Sequence, residues 1–253
     1  MIRLHPIHVM YAALLSLTPV AFASATDLPA PIAATVERGV EIIGQFDAPS
    51  GLQGYAGKFN GQGMALFLTQ DQQHVIVGTL LDAEGRDISR TALDELVYGP
   101  MGEQMWAQLQ EGNWVTDGSD DAERVVYTFT DPNCPFCSMF WEQARPWVDA
   151  GKVQLRHIMV GILREDSAGK SAAILTAEDP SAALHQHEAG DGVTALVRIP
   201  AAIESQLQAN HELMSQLGAQ ATPAIFYLDE QGKMQQQQGA PRPDKLRDIL
   251  GPR

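Results

Sequence analysis

Cys134 and Cys137 are the only thiols among 253 residues, and both sit in the stretch "FTDPNCPFCSMFW", Phe129 to Trp141. A disulfide between them would close a loop of two residues and remove almost no chain entropy, so a structural staple explains the pair poorly. The spacing suits thiol–disulfide exchange better. At the first turn of a helix, Cys134 would meet unpaired backbone N–H groups and the positive end of the helix dipole. Both lower a thiol pKa and raise the fraction present as nucleophilic thiolate. Cys137 falls one turn later on the same face, where it can attack a mixed disulfide formed at Cys134 and release the partner. Pro135 fits the first helical turn, where its missing N–H costs nothing. Phe136 completes the dipeptide between the sulfurs. The expectation is an exposed, low-pKa nucleophile at 134 and a resolving thiol at 137.

Other chemistries fit the pair less well. Half of a zinc site would need two further ligands, and no second cysteine pair exists. His185 and His187 could supply nitrogen, but they read first as surface decoration on a helical segment. Covalent haem attachment needs His at 138, where the chain has Ser138. The expected site therefore holds no metal and no cofactor beyond the redox-active Cys134–Cys137 pair.

The surrounding elements must put Cys134 at a strand-to-helix junction. "RVVYTFT" reads as a buried strand, Cys134 to Ala150 as a helix closed by Gly151, and "KVQLRHIMVGI" as the next strand. A helical insertion follows from about 165 to 218. Then come the strand "PAIFYLD", the turn "EQGK", the short strand "MQQQQG" and the final helix "RPDKLRDIL". This order is of thioredoxin type. In proteins of that type a proline such as Pro223 in "GAQATPAIFY" is cis and packs beside the C-x-x-C, and the residue before it, here Thr222, pairs its backbone with bound substrate. Pro223 also reads as an ordinary strand-opening proline.

Upstream, "LPAPIAATVERGV" reads as a short helix. The stretches "VEIIGQF", "LQGYAGKF", "GMALFLT" and "HVIVGTLL", separated by turn signals, read as a four-stranded meander. About sixty residues make a marginal core with exposed sheet edges, which association with a second copy would relieve. Residues 86–117 read as helix broken near Pro100 and Gly102, a linker rather than a core element, with Trp106 and Trp114 packing on a neighbouring domain. The first 25 residues carry one charge, Arg3, ahead of an apolar run interrupted by Pro19. Small residues then allow cleavage after Ala23 or Ala25, the layout of a secretory signal peptide. The predicted organisation is thus a signal peptide over 1–25, an N-terminal dimerisation domain over 26–85, a helical linker over 86–117 and a catalytic domain over 118–253. The fold class is α+β. A formal net charge of −14 argues against nucleic acid and anionic membranes as partners.

Taken with "LPAPI", "FDAP", "GYAGK", "YGPMGEQMW", "DPNCPFC", "FWEQARPWVDAGKVQLR" and "TPAIFY", the whole mature chain resembles the DsbC/DsbG family of periplasmic disulfide isomerases. The long helix and Thr222 before the proline point to its DsbG branch. The resemblance implies a cystatin-like N-terminal dimerisation domain, a V-shaped homodimer in the periplasm, and two thioredoxin-like domains facing a shared cleft. It also implies a membrane reductant of the DsbD kind that keeps Cys134 reduced. Clients would be exported proteins bearing thiols, disulfides or sulfenic acids. Pro135, Phe136, Thr222 and Pro223 would tune the redox pair and contact substrate. One position departs from the pattern: the branch usually has Pro-Tyr between the cysteines, and this chain has Pro135-Phe136. That change puts the redox potential in question while leaving the exchange chemistry intact. Two other readings stand beside the isomerase or reductase: a dithiol oxidase resembling DsbA, and a non-catalytic dimeric holdase.

Overall fold

The computed structural model describes residues 28–252. The signal-peptide segment and its cleavage sites lie outside the described residues. The chain divides into two compact units, one ending at Arg86 and the other beginning at Asp87.

The first unit opens with helix α1 (Ala30–Val36), which starts behind Pro29 with Pro31 in its first turn. Four antiparallel strands follow, β1 (Glu41–Asp47), β2 (Gln53–Phe59), β3 (Gln62–Leu68) and β4 (Val75–Val77), in the order β1-β2-β3-β4. Asn60 and Gly61 join β2 to β3 with φ of 49° and 78°. These are the two left-handed residues that a tight hairpin of right-twisted strands requires. Ile32 of α1 packs with Val40, Tyr55, Leu66 and Leu68 into a small core. The expected fourth strand, "HVIVGTLL", pairs over three residues only. Its Ile76, Val77 and Leu81 stay exposed, and the strand ends at Gly78, whose φ of 147° leaves the range of an L-residue strand.

The second unit starts with a continuous helical run: α2 (Arg90–Leu93), a π-turn (Asp94–Tyr98) and α3 (Gly99–Glu111). Pro100 does not break it. The π-turn directly ahead widens the hydrogen-bonding and places Pro100 in the first turn of α3, where no N–H is needed. Nor is this segment a mere linker. Leu109 is fully buried with Tyr127, Phe129, Ile158 and Phe226, and Met105, Trp106 and Trp114 pack around them. Both tryptophans meet the Tyr127 ring edge-on, at 5.1 and 5.6 Å.

The five-stranded sheet has β6 (Arg124–Thr130) at its centre. β7 (Val153–Met159) lies parallel on one side, joined through helix α4 (Pro135–Val148), and β5 (Val115–Asp117) adds an antiparallel edge beyond it. On the other side run β8 (Ala224–Leu228) and β9 (Met234–Gln238), each antiparallel to its neighbour. Strand β5 was not evident in the sequence: three residues are too few to show alternation. One face of the sheet is covered by α4 and the C-terminal helix α8 (Leu246–Leu250), through Phe140, Ala144, Trp147, Ile249 and Leu250. The insertion between β7 and β8 holds α5 (Ser167–Leu175), α6 (Pro180–Gln186), a second π-turn (His187–Asp191) and α7 (Ala201–Gln216). It closes a third cluster over Val115, Met159, Ile174 and Leu184.

Candidate active site

The turn that carries the first cysteine is anchored by a buried carboxylate. Asp131 follows directly on β6 and is 0% exposed. One of its oxygens accepts from the Asn133 amide at 2.8 Å and the Ser167 hydroxyl at 2.8 Å. The other accepts from the amides of Ile162 at 2.7 Å and Leu163 at 3.0 Å. Four donors offset the burial of this group. The Asp131 carbonyl in turn accepts from Cys134 N–H at 2.9 Å. Asn133 extends the clamp by donating to Asp166 and Ser167, while Lys170 donates to its carbonyl oxygen at 2.7 Å. Neither Asp131 nor this clamp was singled out from sequence. The available signal was an acidic residue wedged between a buried strand and the C-x-x-C; nothing local marks Ser167, 36 positions away.

Cys134 takes the N-cap position of α4 in extended conformation (φ −89°, ψ 107°), with Pro135 first in the helix. Its carbonyl accepts from Cys137 N–H at 3.0 Å. Both thiols are free, and both residues are 3% exposed. The expectation that Cys134 is exposed is therefore corrected: both residues are buried, and the Thr222 carbonyl lies over the first sulfur. Cys134 Sγ donates to the Thr222 carbonyl at 3.2 Å. The Thr222–Pro223 bond is cis.

Electrostatics separate the two. The Cys134 pKa falls from 9.0 to about 6. Hydrogen bonding from the Cys137 thiol is the largest cause; burial opposes it, and Thr222 and the amides of Cys137 and Phe136 add to the lowering. Cys137 moves the other way: burial pushes its thiol up, and the Cys134 sulfur adds to the rise through hydrogen bonding and charge. The Thr222 hydroxyl is buried without a partner while Cys134 is a thiol, leaving it available to a thiolate. The arrangement can hold one thiolate and one thiol at neutral pH, one helical turn apart. Phe136, 54% exposed, and Met139 flank the pair on the open side of the first turn.

The two histidines weighed as ligands are used otherwise. His185 meets the Trp141 ring edge-on at 5.2 Å. His187 Nε2 lies 2.6 Å from the Pro132 carbonyl. They dock the insertion onto the cysteine turn, so surface decoration does not describe His187. Beneath α4, Arg145 stacks on Trp141 with its guanidinium carbon 4.2 Å from the ring centre and forms an ion pair with Asp117 of β5. His157 is 3.6 Å from the same carboxylate and 2.9 Å from the Thr130 hydroxyl. Burial raises the Asp117 pKa, but His157 and Arg145 outweigh it and hold the carboxyl at about 2.

Residues 119–251 match the family model of a thioredoxin-like domain. The chain is 60% identical to the thiol:disulfide interchange protein DsbG of Pseudomonas aeruginosa over 233 residues, 91% of each chain. The chain belongs to the DsbG family of thiol:disulfide interchange proteins. The DsbG of Escherichia coli K12 is 42% identical over 242 residues, covering 94% of this chain and 97% of its own. Among solved structures, the catalytic domain of Proteus mirabilis ScsC is similar over 58% of this chain and 95% of its own, at 26% identity and a TM-score of 0.48. Membership in the DsbG family agrees with the α+β architecture and with the thioredoxin-like order of β6, α4, β7, β8 and β9.

Proposed function

We propose that the protein is a periplasmic disulfide isomerase and reductase whose nucleophile is Cys134 and whose resolving thiol is Cys137. The opposed pKa shifts of the two thiols carry this reading. The Cys134 thiolate attacks one sulfur of a client disulfide, bonds to it, and expels the other sulfur as a thiolate. That thiolate can then attack a second client disulfide and free a different client thiolate, which attacks the client sulfur bonded to Cys134; a new client disulfide forms and Cys134 leaves as the thiolate. Alternatively Cys137 gives up its proton and attacks Cys134. The client leaves with a thiol, two electrons have passed to it, and the Cys134–Cys137 disulfide forms. A client sulfenic acid enters by the same attack and expels hydroxide. Thr222 steadies the anion through its hydroxyl, its backbone and Pro223 border the client, and Pro135 and Phe136 set the spacing of the sulfurs.

The oxidised pair must be reduced again by a dithiol donor, for which a membrane reductant of the DsbD kind is the fitting partner. Export by the N-terminal signal segment and dimerisation through the N-terminal unit complete the reading. The test is to express Cys137→Ala and look for protein–client adducts on non-reducing gels. Client adducts that vanish with dithiothreitol and require Cys134 are expected. Adducts that persist in Cys134→Ala/Cys137→Ala, or none at all, would remove the exchange reading and favour the holdase.

A further inference from the structure

Beside the cysteines lies an open pocket of about 490 Å³ walled by Pro135, Ser138, Met139, Trp141 and Glu142 of α4 and by Glu188 of the insertion. Two of these walls are unusual. Glu188 is 9% exposed, and its Oε2 is buried with no hydrogen-bond partner. Trp141 is 7% exposed, and its indole N–H is likewise buried and unpartnered. A buried polar group left unpaired costs about 1–3 kcal/mol, so a carboxylate and an N–H donor both without partners in one pocket point to an absent guest.

The pocket is also built to hold these two groups still. Glu188 sits in the kinked turn His187–Asp191 at the end of α6, where Gly190 leaves helical geometry at φ 102°. That turn is fixed to the cysteine loop by His187 on the Pro132 carbonyl and to α4 by His185 against Trp141. Trp141 is held from another side by Arg145, whose charge is already engaged by Asp117. Among the walls of the pocket the charged residues are Glu142 and Glu188, with no cation.

We propose that this pocket is a client-recognition subsite that takes a lysine or arginine side chain lying next to the client's reacting cysteine. This rests on the exchange reading of Cys134. Pro135 is the residue after Cys134, and a chain disulfide-bonded there advances about 3.3–3.6 Å per residue, so a neighbour one to three residues away reaches the pocket. The aliphatic stem of the guest lies along Met139 and Trp141, and its cationic head meets Glu188 with Glu142 at the mouth. A charged hydrogen bond of this kind supports about a tenfold preference.

The experiment uses the full-length reduced protein and short peptides carrying one cysteine blocked as a disulfide with 2-thiopyridine, with Lys, Gln or Glu two residues away. The released thiopyridone reports the rate of attack by Cys134. Wild type is expected to favour the Lys peptide over the Glu peptide about tenfold. Glu188→Gln should cut that ratio several-fold, while Glu230→Gln should not, although both remove one negative charge. Glu230 lies in the turn after β8, at the other end of that strand from Pro223. Equal rates for Lys and Glu peptides in wild type, or the same loss of preference in both glutamine variants, would overturn the subsite and leave the exchange reading intact. No release from any peptide would overturn the exchange reading as well.

Discussion

At the scale of the residue, the two sulfurs are set apart by what surrounds them. Cys134 collects a thiol, a threonine and two amides as donors, and Cys137 receives burial and a neighbouring anion. Alkylation should therefore label Cys134 with a midpoint near pH 6 and leave Cys137 unlabelled across the neutral range. Below the midpoint the nucleophile is a protonated thiol and the rate falls tenfold per pH unit. The same shift affects stability. The folded pKa lies below 9.0, so the contribution of Cys134 to the stability of the dithiol form is complete above about pH 9 and is lost as pH falls through about 6. Thr222→Val keeps the volume and removes the hydroxyl, so it should raise the labelling midpoint by about one unit. An unchanged midpoint would mean that the hydroxyl does not serve the anion. The C-x-x-C and the Thr-Pro pair could be read from the sequence because their chemistry lies in adjacent residues. The Asp131–Ser167 clamp and the Trp141–Glu188 pocket could not, since each joins segments that meet only after the insertion has folded against the cysteine turn.

At the scale of the element, periodicity revealed the long strands and helices and missed whatever was short or irregular. β6, α4 and β7 carry strong apolar patterns and fall where the sequence put them. β5 and the two π-turns escaped: three residues show no period, and a π-turn differs from an α-helix by a single hydrogen-bond offset. The cost of that gap was to misread α3 as a linker. Its Leu109 is fully buried against the thioredoxin-like sheet. Leu109→Ala should therefore lower the unfolding free energy of this unit by about 2–5 kcal/mol, measured by urea denaturation. A solvent-exposed linker would show almost none. β5 contributes through Asp117, whose ion pair with Arg145 is mostly buried. Asp117→Asn leaves that guanidinium with only the exposed Asp149 carboxylate at 3.7 Å, and the carboxyl's shift to about 2 sets the cost at neutral pH at about 2–3 kcal/mol. The carboxyl is held at about 2 against an ordinary 3.8, so its contribution is complete above about pH 4 and disappears as pH falls through 2. Wild type and the asparagine variant should therefore converge in stability toward that acid limit. A constant gap down to pH 2 would place the effect in packing instead.

At the scale of the whole molecule, the question is what decides the direction of electron flow. Exchange is reversible, and a C-x-x-C can donate or accept according to the potentials of its partners. The selection must come from which partners reach the sulfurs, and dimerisation through the first unit is the proposed restriction. The second unit begins at Asp87, so the informative fragment is 87–253. A cut at 118, suggested by sequence pattern alone, would discard α3 and β5 and with them Leu109, Trp106, Trp114 and the Asp117 ion pair. That shorter fragment should be poorly folded by circular dichroism, whereas 87–253 should fold as a monomer and keep exchange at Cys134. Expressed with a signal peptide, the full-length protein should trap mainly as the dithiol. The 87–253 fragment, open to the membrane oxidase that serves monomeric dithiol oxidases, should trap mainly as the disulfide and lose most isomerase activity. If the full-length protein traps as the disulfide, the oxidase reading returns. If the fragment stays reduced, the restriction lies in the second unit itself, and the surfaces around Phe136, Met139 and the Glu188 pocket become the place to look for what excludes the oxidase.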